Sequence, residues 1–134
     1  LGFASIGCLA FSGADTTSPS DVGNGAATDT NSTTISTGSI AAAAGAVAVT
    51  VLTQTAGTGP SIDNSFTIQE TVLIAGGAHY PMTLAYKLDP GTVNPTWSWT
   101  TVGDPATAIQ SFLAGADAGG ARGSSWIGWM EMDE

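Results

Sequence analysis

Apolar and polar residues alternate in short runs along most of this chain, a pattern of strands rather than helices. Residues 2–11 read as a first strand, with Phe3, Ser5, Gly7, Leu9 and Phe11 on one face and Ala4, Ile6, Cys8 and Ala10 on the other. Both faces are mostly apolar, which predicts a central strand. Residues 12–34 are rich in Ser, Thr, Asp, Asn and Gly and contain Pro19, so a long polar connection is expected there. A Thr-rich strand follows over 34–40. The strongest strand lies over 46–53, where Val47, Val49 and Val51 share a face. Gly45 and these valines oppose a helix through the four alanines at 41–44. Beyond a Gly/Pro loop at 56–61, alternation predicts strands over 65–74, 81–88 and 96–101, with turns at Gly76-Gly77 and Asp89-Pro90-Gly91.

Residues 104–115 fit two readings. Asp104 as N-cap, Pro105 at the first helical position and Gly115 past the end form a helix signature. An internal echo favours a strand instead. Ile6-Gly-Cys-Leu-Ala-Phe-Ser-Gly-Ala-Asp15 resembles Ile109-Gln-Ser-Phe-Leu-Ala-Gly-Ala-Asp117, both being apolar runs that end in Gly-Ala-Asp. If the two are equivalent strands, the chain begins mid-pattern. Then either an upstream portion is lacking or the first strand completes the sandwich formed by the rest. Short strands separated by turn signals predict an all-β fold: an antiparallel β-sandwich, jelly-roll-like, over 1–114. Residues 115–134 are expected to be a Gly-rich linker with an apolar and acidic C-terminal arm, flexible by composition.

Composition narrows the function. Charged residues are 10% of the chain, against about a quarter in ordinary domains. The basic residues are Lys87 and Arg122, set against 11 acidic ones, for a formal net charge of −9. That balance excludes a nucleic-acid partner, which needs a basic footprint, and an anionic membrane surface. No stretch reaches the ~18 apolar residues of a membrane helix, and the N-terminus lacks the basic region of a signal peptide. Cys8 is the single cysteine, which rules out an internal disulfide and predicts a buried thiol.

Few side chains are suited to catalysis. His79, the one histidine, sits beside the Gly76-Gly77 turn and reads as a surface residue rather than a base for Cys8 or a serine. Glu70 is the only glutamate before the C-terminal segment, too little for a carboxylate pair. No zinc cluster exists. Asp15, Asp21 and Asp29 share one polar loop, and Asp63 and Asn64 another. Turn capping explains them better than calcium, because no EF-hand spacing is present. No catalytic residue, metal or cofactor is therefore expected. Trp97 and Trp99 share a strand face and fill a core otherwise short of bulk; a sugar-stacking platform is the competing reading. The C-terminal segment carries Trp126, Ile127, Trp129 and Met130, which are costly to leave in water. They either fold back on the sandwich as a last strand or insert into a neighbouring subunit as binding anchors.

One stretch carries a resemblance. Leu9-Ala-Phe-Ser-Gly-Ala-Asp-Thr-Thr-Ser-Pro-Ser-Asp21 is similar to the S-G-x-D-T-T-x-P-x-D signature of a β-sandwich family of bacteriophage virion proteins and bacterial secreted proteins. Residues 33–52, Met82-Thr-Leu-Ala-Tyr-Lys87, Asn94-Pro-Thr-Trp-Ser-Trp99 and residues 106–113 resemble its later stretches, so the likeness covers about residues 6–114. In that family the last segment is a strand, and no catalytic residues come with it. The resemblance implies a non-enzymatic virion structural protein. A capsid decoration (cement) subunit comes first and a tail or fibre module second; either would form a homo-oligomer or bind other virion subunits through sandwich edges and the arm. The alternative is a carbohydrate-binding module of a secreted protein or adhesin, using Trp97, Trp99 or Tyr80 on a glycan. A subunit of an extracellular filament is a third reading.

Overall fold

The computed structural model describes residues 6–55, 59–72 and 81–115. Among these residues every regular element is a strand, and no helix is long and apolar enough to cross a membrane. Ten strands occur in chain order: β1 Ser20–Ala27, β2 Ser32–Ser36, β3 Ile40–Ala41, β4 Val47–Thr53, β5 Ser61–Ile62, β6 Thr67–Val72, β7 Met82–Leu88, β8 Thr92–Val93, β9 Thr96–Gly103 and β10 Ala106–Phe112.

Their pairing is nested. β1 pairs with β10, β2 with β9, β3 with β8 and β4 with β7, every pair antiparallel. A long antiparallel ribbon of this kind, rolled on itself, brings β10 beside β4 and β9 beside β5. The result is a five-stranded sheet in the order β1-β10-β4-β7-β6, a three-stranded sheet β2-β9-β5 and a small β3-β8 ribbon. That is an antiparallel β-sandwich with jelly-roll connectivity. Local pairing alone cannot yield it; the partners at the ends of the ribbon are the farthest apart in sequence.

The core lies between the sheets. Ala48, Leu52, Ala85 and Ile109 enter it from the five-stranded sheet, Ile35, Trp97 and Trp99 from the three-stranded one, and Ile40 and Val93 from the ribbon. Because β4 alternates, Ala48, Thr50 and Leu52 face this core while Val47, Val49 and Val51 face away from it. Alanine and threonine on the broad sheet leave room that the two indoles fill. Trp97 is wholly buried, and its Nε1 donates to Thr50 Oγ1 at 3.2 Å. The Thr50 hydroxyl in turn donates to the Ala108 carbonyl at 2.9 Å. Thr50→Val keeps the shape but strands the indole N–H in the core. It is expected to cost about 1–3 kcal/mol, read from urea denaturation.

Several sequence expectations are corrected. Residues 6–11 form no regular strand. Ile6, Cys8 and Ala10 are exposed while Gly7, Leu9 and Phe11 are half-buried, so the segment lies on a surface instead of sitting centrally in a sheet. Cys8 is accordingly exposed, not buried. The polar connection expected over 12–34 contains all of β1 and the start of β2. Within 104–115 the chain forms the strand β10, Ala106–Phe112, as the echo favoured, but the echo's meaning differs. The two echoing segments meet: Ala14 bridges Ala114, and the Gly115 N–H donates to the Gly13 carbonyl at 2.8 Å.

Candidate functional site

Val47, Val49, Leu84 and Phe112 give the outer face of the five-stranded sheet an apolar surface, although it points away from the sandwich core. A sheet face of this kind needs a cover. The cover is the strap formed by residues 6–14. At Gly7 the strap lies close on the sheet, since a Cβ there would lie 2.6 Å from Leu84 Cδ1 and 2.8 Å from Met82 Cε. Further along, the Phe11 ring meets Tyr86 edge-on, with centroids 5.6 Å apart and planes at 65°.

The strap is tied down at one end. The Asp15 N–H donates to the Leu113 carbonyl at 3.0 Å, and the Leu113 N–H donates to the Pro19 carbonyl at 2.8 Å. Asp15 Oδ1 accepts the backbone N–H groups of Thr17 at 2.7 Å and Ser18 at 3.0 Å, an Asx-type turn that redirects the chain into β1. These donors, Ser18 first and Thr17 second, hold the Asp15 carboxyl below the ordinary aspartate range.

The cover is incomplete. Between strap and sheet runs a groove of about 330 Å³. Gly7, Leu9, Phe11 and Ala14 form its strap side; Val47, Val49, Leu84 and Phe112 form its sheet side. None of these side chains carries a charge, hydroxyl, imidazole or thiol. The groove can bind apolar groups, but its own side chains supply no acid, base, nucleophile or metal ligand. Sequence reading missed it, because it treated residues 2–11 as one strand among others. The signal was present in β4, which carries apolar residues on both faces, and in β7, whose apolar face Met82, Leu84, Tyr86 and Leu88 points away from the interior.

The other candidate residues do not converge. Trp97 and Trp99 are 0% and 6% exposed, so neither ring face is open for a sugar to stack on. Asp21 Oδ2 accepts the Ser111 hydroxyl at 3.0 Å and the Ala43 N–H at 2.8 Å. Asp63 Oδ1 accepts the Thr96 N–H at 2.8 Å, and Asp89 Oδ1 accepts the Gly45 N–H at 2.8 Å. These aspartates staple loops to strands, and among the described residues no three His, Cys, Asp or Glu side chains form a cation-sized cluster. Glu70 is exposed on the edge strand β6, beside a register shift between Ile68 and Glu70. A second shift interrupts the other edge, between Ser20 and Gly23 of β1. Bulges and an edge charge discourage strand addition there. His79, Tyr80, Trp126, Ile127, Trp129 and Met130 lie outside the described residues. Comparison with family models, with curated proteins and with solved structures found no match.

Proposed function

We propose that this protein is a non-enzymatic structural subunit of a bacteriophage virion, a capsid decoration (cement) subunit, with a tail or fibre module as the near variant. The observation that carries the reading is the apolar outer face of the five-stranded sheet, covered by a strap that leaves a groove with no ionisable lining among the described residues. A surface of that chemistry serves association, not turnover. The jelly-roll connectivity supports it by analogy, since such sandwiches recur in capsid proteins. So do the aspartates engaged in stapling loops, and the resemblance of residues 9–21 to a virion β-sandwich family. With both edges of the five-stranded sheet bulged, the mechanism there shifts from edge pairing to apolar docking by the C-terminal arm. The carbohydrate-binding alternative loses its two-indole platform to the core.

The test is sedimentation of native material, with mass spectrometry of the heavy fraction, for the full chain and for a chain lacking residues 116–134. The full chain is expected to travel with large particles and the shortened chain to stay light. If both stay light and monomeric, the virion reading fails and glycan binding becomes the question.

A further inference from the structure

We propose that the groove between the strap and the five-stranded sheet is the docking site for this chain's own apolar segment, residues 126–130. The inference rests on reading that segment as an arm, but not on which particle the arm serves.

Position comes first. The described chain stops at the groove's rim: Phe112 and Ala14 line it, Ala114 bridges Ala14, and Gly115 is bonded to Gly13. Gly115, the last described residue before the arm, therefore lies at the site. Ten residues, 116–125, separate that point from Trp126. Their Gly/Ala/Ser composition gives a root-mean-square span of about 16–19 Å and a maximum near 35 Å. From Phe112 on β10 to Leu84 on β7 is two strand spacings, about 10 Å. The linker reaches every part of the groove without strain.

Chemistry agrees with position. Trp126, Ile127, Trp129 and Met130 crowd into five residues, and among the described residues the side chains lining the groove are all apolar. Its volume is at the low end of the ~300–1,000 Å³ that seats compact ligands, enough for an indole and a smaller neighbour. Among the described residues the strap's backbone from Ile6 to Ser12 makes no hydrogen bond to the sheet. An extended segment beside it gains main-chain bonds as well as burial. Glu131, Asp133 and Glu134 follow immediately and keep the far end in water. A tether this short sets an effective concentration of order millimolar, so in dilute solution a chain fills its own groove before a second copy does. Where copies are packed side by side, the same pairing passes between neighbours, which is how the arm would clamp them.

The native Cys8 supplies the probe: it is the single cysteine, exposed on the strap. A thiol introduced by Gly128→Cys in the full chain is treated with a short bismaleimide at low protein concentration. Gel mobility and peptide mass spectrometry identify the product. An intrachain link to Cys8 is expected. Val49→Lys in the groove floor, and separately Trp126→Ser with Trp129→Ser, should each slow it about tenfold or more, since each removes at least one anchoring contact. The arm variant leaves every described residue intact, so its outcome does not depend on the sandwich tolerating a lysine. No link, or a link that forms equally fast in both variants, overturns the proposal. An interchain link in place of the intrachain one assigns the groove to another copy and overturns the assignment to the same chain. The virion reading fails separately, by sedimentation, and that failure leaves the cross-link unchanged.

Discussion

Replacing Trp97 with alanine is expected to destabilise the protein by about 3–5 kcal/mol, the largest effect of any single side chain in the sandwich. Trp97 is the largest of the fully buried side chains. Across the core it meets Thr50 on β4, and the facing sheet contributes the small Ala48 and Ala85 to the same cluster beside Leu52 and Ile109. Ile35 and Ile62 stand opposite Trp97 on β2 and β5, but neither has an indole's volume, and β9 is paired on both sides, so most of the cavity persists. Against the ~5–15 kcal/mol that holds a domain together, the loss is large. The urea midpoint should fall on the order of 2 M with an unchanged slope. Trp97→Phe retains most of the bulk and should lose distinctly less, because Thr50 still has the Ala108 carbonyl to bond. The same measurement bears on function. An indole serving as a sugar platform would be exposed, and its removal would shift stability by no more than ~0.5 kcal/mol.

How much of this was legible in the sequence depended on whether a residue's role was local. β4, β7, β9 and β10 were readable, because each is paired on both sides or buried on one face and its alternation is enforced by that burial. β1 was invisible. Its Ser-Asp-Val-Gly-Asn-Gly-Ala-Ala run has no apolar period, and as an edge strand it is mostly exposed. It is held by backbone pairing to β10 and by the Asp21–Ser111 bond, neither of which leaves a hydrophobic trace. The strap failed in the opposite direction. Its alternation is real, but it reflects one face lying on a sheet rather than membership of one. Composition also explains why the indoles were rightly placed inside: a core of alanines and threonines must find volume elsewhere. The groove was beyond reach because it exists only between the strap and strands that lie some 40 to 100 residues away.

Gly38→Ala should be the costliest conservative change in a loop, at about 2–4 kcal/mol. Gly38 lies between β2 and β3 with φ +87, a conformation that costs an L-residue roughly 1–2 kcal/mol. It also sits against the edge of the five-stranded sheet. A Cβ there would be 2.6 Å from Asn24 Cγ and closer still to Asn24 Nδ2. Asn24 is no free rotor: its Nδ2 donates to the Ser39 carbonyl at 3.1 Å and its Oδ1 accepts the Gly25 N–H at 2.8 Å. Moving the amide aside breaks the bond by which β1 holds the loop leading to β3, adding about 1 kcal/mol or more. The two contributions separate in a double-mutant cycle. In an Asn24→Ala background the crowding is gone and only backbone strain remains, so Gly38→Ala should cost about half as much there as in the native chain. Equal costs in both backgrounds would mean that the strain is purely conformational and that Asn24 does not brace this corner. A coupling of the expected size would place the attachment of β1, the strand least visible in the sequence, on one amide packed against a glycine.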